Sequence, residues 1–178
     1  TKKYEPVVAL KVLIALNAQT SEHAWQGSNR RLFERAVTVA ASVAKHCSDR
    51  RFSFGLLSNG VAVYTGKWIT LKIGNSASQL DLVLEALAMA GQYAVASLPE
   101  VLRAERASMP SGTTMAIVTS LLTRALAEEI REIKSRGYEV VVFYSGDGGA
   151  RLEVPGVPIF LAGRGLDTVE QDEQVRTE

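Results

Sequence analysis

The run "VVALKVLIAL", Val7 to Leu16, constrains the fold more than any other stretch of this chain. A strand with one wet face alternates apolar and polar side chains. Here aliphatic residues fill both faces and only Lys11 interrupts them. Such a run reads as a central strand covered on two sides, the pattern of a parallel sheet packed between helices. Pro6 bounds it at one end, and at the other it stops in Asn17, Gln19, Thr20 and Ser21, all short oxygen or amide carriers. In open α/β sheets ligands settle in the crevice beyond the carboxyl ends of the strands. Function is therefore expected at this polar cluster.

The rest of the chain alternates strand and helix patterns. A helix is expected from about Asn29, capped by Ser28 or Asn29. Leu32, Ala36, Val39, Val43 and Cys47 form its apolar stripe, widened by Phe33, Val37, Ala40 and Ala44. "RFSFGLL" and "VAVYTG" flank "SNG", and Asn59-Gly60 suits the positive φ of a tight hairpin turn. "WITLKIG" then extends the second of these strands. Ser76 and Gln79 have the spacing of a capping box, opening a helix with Leu80, Val83, Leu84 and Leu87 inward. A further helical stretch covers 98–108 and is broken by Pro110-Ser111-Gly112. "TTMAIVTS" is a short buried strand ending in Thr119 and Ser120. A helix over 123–136 follows, with Leu126, Ile130 and Ile133 on one face and Gly137 as its stop. "YEVVVFYS" is a strand, "GDGGAR" a glycine-rich loop and "VPIFLAG" a last strand; the acidic tail from Asp167 is expected to fray. These elements predict one α/β domain over 1–178, with a mostly parallel sheet and helices on both faces. "VLIAL", "MAIVT" and "VVVFY" should be interior strands, and the hairpin at Asn59-Gly60 should supply one antiparallel edge.

Charge and composition narrow the function classes. A formal net charge of +1 over 178 residues gives no basic footprint for nucleic acid. Solvated helix ends account for the local basic runs "NRRLFERA" and "HCSDRR". The single cysteine, Cys47, excludes an internal disulfide, and one Cys with two His gives no zinc spacing. On the apolar face of its helix Cys47 is expected to be a buried small hydrophobe. No apolar run reaches the length that spans a bilayer. "TKKYEP" lacks the apolar core of a secretory signal. The chain starts at Thr1 instead of Met, and the expectation is a domain excised from a longer protein.

The order strand, helix, hairpin, helices, strand, helix, strand, strand resembles a von Willebrand factor A-like domain, a Rossmann-like fold. "LFERAVTVAASVAKHCSDRRFSFGLLSNG" is similar to a stretch of the bacterial family called domain of unknown function 58. "QLDLVLEALA" resembles that family's following helix, "TTMAIVTSLLT" its fourth strand and "VPGVPIFLAG" its closing strand, so the likeness covers about 10–165. The resemblance implies a cytoplasmic domain of a membrane-anchored protein that works with a MoxR-type AAA+ ATPase in assembly, chaperoning or partner recruitment. It implies no defined activity and no cofactor. Metal-binding A domains carry Asp-x-Ser-x-Ser after the first strand, a threonine from a middle loop and an aspartate after the fourth strand. The matching positions here read Asn17-x-Gln19-x-Ser21 and Ser120. Both carboxylates are missing, and hard cations generally need at least one. A degenerate metal site is the expectation.

Asn17, Gln19, Ser21, Thr119, Ser120 and Asp147 should converge at the carboxyl edge of the sheet, where a partner's side chain or backbone could meet them. The plainer reading is that they end strands and cap helices. "SGDGGAR" invites a phosphate-loop reading but lacks the Gly-Lys-Ser/Thr ending, so a flexible loop is simpler. His23 lies near Ser21 and Glu22, yet no G-x-S-x-G elbow accompanies them. His46 suits a helix C-terminus. Trp25 and Trp68 are either partner anchors or half-buried packing residues. Three readings stay open. The first is a non-enzymatic protein-interaction domain. The second is a divalent-metal-dependent adhesion module using Asn17, Gln19 and Ser21 as weak oxygen ligands. The third is a small-molecule enzyme of doubly wound type using the "GDGGAR" loop.

Overall fold

The computed structural model describes residues 9–148 and 152–162. Among these residues there are eight strands: β1 (Lys11–Leu16), β2 (Ser53–Ser58), β3 (Gly60–Ala62), β4 (Ile69–Gly74), β5 (Ala90–Ala94), β6 (Thr113–Thr119), β7 (Glu139–Tyr144) and β8 (Ile159–Leu161). Four α-helices accompany them: α1 (Arg30–Asp49), α2 (Gln79–Ala88), α3 (Leu98–Glu105) and α4 (Arg124–Ser135). The main sheet has the order β4-β2-β1-β6-β7-β8, parallel except for β4, which runs antiparallel to β2 at one edge.

The two faces of β1 explain its unbroken apolar run. Val12, Ile14 and Leu16 point into a core formed with Ala36, Val39 and Ala40 of α1 and Val83 and Leu87 of α2. Leu13 and Ala15 point the other way, onto Leu98 and Leu102 of α3 and Leu126 and Ile130 of α4. Both faces are covered, as the run requires. Strand order reverses at β1, with β2 on one side and β6 on the other. The carboxyl ends of β1 and β6 thus flank the topological switch point, where open α/β sheets place their crevice.

Helix ends follow local chemistry. The Asn29 side chain accepts from Leu32 N–H at 3.2 Å and starts α1, and Thr123 does the same for α4 through Leu126 N–H at 3.1 Å. Gly137 adopts φ 89° after α4, the left-handed stop that glycine permits. His46 lies in the last turn of α1, and Cys47 is buried.

Four local expectations are corrected. No hairpin forms at Asn59-Gly60. Strand β3 leaves β2 and pairs with β5 in a separate two-stranded ribbon, and the antiparallel edge of the main sheet is β4. Neither Asn59 nor Gly60 takes a positive φ; Asn59 is fully buried and held by its own hydrogen bonds instead. The Ser76–Gln79 capping box is also absent. α2 starts after Ser78, and the Gln79 amide reaches into the sheet, donating to Phe54 O at 2.6 Å and Lys72 O at 3.0 Å. These bonds fill the bulge where β2 and β4 change register around Gly55. A side chain there would bring a Cβ within 2.8 Å of Ile73 N. Leu84 faces solvent, and Ala86 takes the inward place with Val83 and Leu87. Strand β5 was not expected from the sequence. The expected strand positions Val7 and Val8, the loop positions 149–151 and the tail from Asp167 lie outside the described residues.

Candidate functional site

Asn17 follows β1 directly and continues its pairing, with its N–H donating to Val118 O at 2.9 Å. Its side chain is buried, and both its oxygen and its nitrogen are hydrogen-bonded. Nδ2 donates to Thr119 Oγ1 at 3.1 Å. Oδ1 accepts from Gln19 N–H and from Asn59 Nδ2, each at 3.1 Å. Asn59 Oδ1 in turn accepts from Ala18 N–H at 2.8 Å, and its Nδ2 also donates to Ala96 O at 3.0 Å. Thr119 Oγ1 donates to Leu121 O at 2.6 Å. Two amides and a hydroxyl thus close the ends of β1, β2 and β6 together, each polar group satisfying another.

The expected residues divide into a buried and an accessible set. Asn17, Thr119 and Ser120 lie beneath the surface. Gln19 and Ser21 are half-buried and Asp147 is exposed, so of the expected set these three reach the surface. Gln19 Nε2 donates to Ser21 O at 3.0 Å, and Ser21 Oγ donates to Gly27 O at 2.6 Å, which shapes the loop before α1. The Ser21 hydroxyl also donates to the His23 backbone carbonyl at 3.3 Å, while the His23 ring stacks on Trp25 with centroids 5.7 Å apart. Trp25 is 81% exposed, whereas Trp68 is partly buried with Nε1 donating to Glu105 Oε1 at 3.0 Å.

A second cluster sits at the ends of β6 and β7. Arg35 of α1 is buried, yet its Nη1 reaches Ser145 O at 3.2 Å and Asp147 Oδ1 at 3.1 Å. Arg31, one helical turn earlier, donates through Nη2 to Asp147 Oδ2 at 2.5 Å. The Arg31 guanidinium, with Arg35 behind it, holds the Asp147 carboxyl below the usual aspartate range. Gly146 lets the loop close, because a Cβ there would lie 2.5 Å from Ser120 O. The Ser120 and Ser145 hydroxyls are buried without a partner among the described residues. Sequence reasoning missed Asn59 and Arg35. Each had a signal: Asn59 ends an apolar strand as Asn17 does, and Arg31 and Arg35 share one helix face at i, i+4 spacing.

With this geometry in hand, solved structures supply the comparison. Over 92% of its length the chain superposes on 98% of an aerotolerance-related membrane protein from Bacteroides fragilis, at TM-score 0.56 and 14% identity. It matches the manganese-loaded TRAP protein of Plasmodium vivax at TM-score 0.50 and 11% identity, covering 90% of this chain and 72% of that one. The fold is von Willebrand factor A-like. The chain also spans 25% of the length of a pilus adhesin, SpaC from Lactobacillus rhamnosus GG, at TM-score 0.49 and 15% identity over 79% of this chain. No family model and no curated protein matches the sequence.

In the A-like fold the ends of β1 and β6 are where a metal ion would be held, so the donors there can be tested for fit. A hard divalent cation needs several oxygen ligands with compensating negative charge. Asn17 Oδ1 already accepts two N–H groups, and the amide nitrogens of Asn17 and Asn59 place donor hydrogens inside the cluster. The nearby carboxylate, Asp147, is bound by two guanidinium groups. Among the described residues no group of three His, Cys, Asp or Glu side chains is placed to hold a metal. This donor set does not fit Mg²⁺, Mn²⁺ or Ca²⁺. Within the described residues, no helix is long and apolar enough to cross a membrane.

Proposed function

We propose that this chain is a non-enzymatic protein-interaction domain that works by surface contact at the carboxyl edge of its sheet. One observation carries the reading: Asn17, Asn59 and Thr119 satisfy one another below the surface, while Gln19, Ser21 and Asp147 reach it. In this reading the cluster is a metal-ion-dependent adhesion site that has lost its carboxylates and kept its position. Exposed Trp25 and Tyr93 stand near the same edge, and aromatic side chains of this kind anchor protein partners. The likeness of "LFERAVTVAASVAKHCSDRRFSFGLLSNG" to the domain of unknown function 58 family supports a MoxR-type AAA+ ATPase as the partner. It also supports a role in assembly or chaperoning, in a cytoplasmic domain of a membrane-anchored parent.

The test is binding of a MoxR-type ATPase from the same genome, measured by calorimetry. Gln19→Trp with Ser21→Trp should weaken binding by at least about tenfold, equivalent to roughly 1.4 kcal/mol. The melting temperature should stay within a few degrees of the native value. Ser111 and Arg136 precede β6 and β7 at the opposite, amino edge. Binding that survives the first pair of changes but fails after Ser111→Trp and Arg136→Glu places the interface at that other edge.

A further inference from the structure

In the β3–β5 ribbon beside the carboxyl edge, the outer side of β5 pairs with no strand among the described residues. Val95 N–H donates to Asn59 O at 2.8 Å and Val63 N–H to Met89 O at 3.4 Å, which turns Val95 and Met89, at the two ends of this segment, toward β3. Backbone groups alternate in direction along an antiparallel strand. Ala94, next to Val95, therefore presents its N–H and C=O groups away from β3; the register shifts between the pairings Gly60↔Ala94 and Ala62↔Ala90, and in that irregular stretch Gln92 turns its carbonyl outward. No strand pairs there among the described residues. Ser28 instead supplies a single bond, its Oγ donating to Gln92 O at 3.0 Å. That contact stands where a neighbouring strand's N–H would be.

A cleft of about 320 Å³ lies along this side, lined by Gln19, Ser21, Gly27 and Ser28 together with Gln92 and Ala94 of β5. Every residue lining it is uncharged, in a chain with 22% charged residues. Two large aromatic side chains belong to its walls or the turn beside it: Tyr93 is 63% exposed and Trp25 is 81% exposed. A charged side chain entering such a cleft would leave water without meeting a counterion, which costs free energy. An unpaired strand edge offers main-chain bonds that an extended peptide can complete, with alternate side chains setting specificity. An oligosaccharide has no matching alternation of N–H and C=O.

We propose that the outer edge of β5 receives an extended, uncharged peptide segment of a partner protein, which adds as a third strand to the β3–β5 ribbon. Apolar side chains of that segment stack on Tyr93 and Trp25, and its N–H groups take over the Gln92 carbonyl from Ser28. This rests on reading the carboxyl edge as a protein-contact face and names the chemistry of the contact.

The probe is a set of acetylated octapeptides alternating valine with threonine or serine, set against matched peptides carrying lysine or glutamate at the polar positions. Binding to the intact chain is followed by fluorescence anisotropy. The uncharged peptides should bind saturably in the micromolar to millimolar range and shift the amide resonances of Gln92 and Ala94. Methylating alternate peptide nitrogens in one register should weaken binding by about tenfold or more, roughly the loss of one or two hydrogen bonds. Methylation in the other register should leave it unchanged, because only one edge of an added strand faces the protein. Trp25→Ala should weaken binding with no change in melting temperature. Equal tolerance of both methylation registers, preference for the charged peptides, or no saturable binding at millimolar peptide would each overturn the proposal. So would uptake of cello- or chito-oligosaccharide at the same residues in place of peptide. ATPase binding that depends on Gln19 and Ser21 while every octapeptide fails would preserve the carboxyl-edge reading and sink strand addition.

Discussion

Asn59 Nδ2 donates to Asn17 Oδ1 at 3.1 Å, joining the carboxyl ends of β2 and β1 through two buried amides. Both side chains also bond to third parties, Thr119 for Asn17 and the backbone of Ala18 and Ala96 for Asn59. The pair is the hub of the site's floor.

Asn59→Ala should therefore destabilise the domain by roughly 2–4 kcal/mol, because Ala18 N–H and Ala96 C=O are left without their partner and each buried orphan costs about 1–3 kcal/mol. For a chain of this size the melting temperature should fall by roughly 5–15 °C. Pairing Asn59→Ala with Asn17→Ala in a double-mutant cycle should give a coupling of about 0.5–3 kcal/mol. Strict additivity would show that the two amides act separately.

Metal should not stabilise the native chain. A ligand at a hundred times its dissociation constant contributes about 2.7 kcal/mol, which here corresponds to a melting shift of roughly 5–10 °C. Millimolar Mn²⁺ or Mg²⁺ compared with EDTA should produce no such shift. A saturable rise of several degrees that Ser21→Ala abolishes would show that uncharged oxygens suffice at this edge.

The Asp147 carboxyl is held below its ordinary range, first by the hydrogen bond from Arg31 and then by Arg35. A depressed folded-state value adds stability that is present above the unfolded value, near pH 4, and is lost as pH falls through the folded value. Urea midpoints of native and Asp147→Asn chains should stay separated from neutrality down to about pH 4 and converge below it. Glu100 is also lowered, by its Ser97 hydrogen bonds, so the difference between the two chains, not the native curve alone, isolates Asp147. Curves that run parallel to pH 2 would rule out the ion pair as the source.

Burial pushes the Cys47 thiol up to about 11, and the side chain is buried in the core beneath α1. Iodoacetamide at mildly alkaline pH should leave the native chain unlabelled and label it completely in denaturant. Labelling of native protein at the rate of a free thiol would mean that α1 opens locally.

What the sequence could disclose follows from where each residue's surroundings come from. β1, β6 and β7 were legible because both faces of each strand are apolar, and α1 and α4 because their stripes and caps are local. The β3–β5 ribbon was not legible, since "AGQYA" has neither alternation nor β-branched residues and its pairing depends on a partner far along the chain. Asn59-Gly60 has the composition of a turn, but the tertiary network around Asn59 overrides that preference. Leu84 has the spacing of a core residue and lies where α2 already faces water. For the site, the convergence of Asn17, Gln19, Ser21 and Thr119 could be read from the strand ends alone. The grip of Arg31 and Arg35 on Asp147 could not, because a basic run on a helix looks the same whether it is solvated or paired.

The floor of this edge is made from chain segments that meet only after long detours. Asn17 is 42 positions from Asn59 and 102 positions from Thr119. Closing such loops costs entropy before any contact offsets it, and non-local strand pairings are accordingly slow to form. A chain emerging during synthesis has β1 and β2 long before β6 can insert beside β1. The edge acquires its shape only when the sheet is complete across its middle. Any molecule that docks there discriminates finished chains from unfinished ones, without needing a separate signal for maturity.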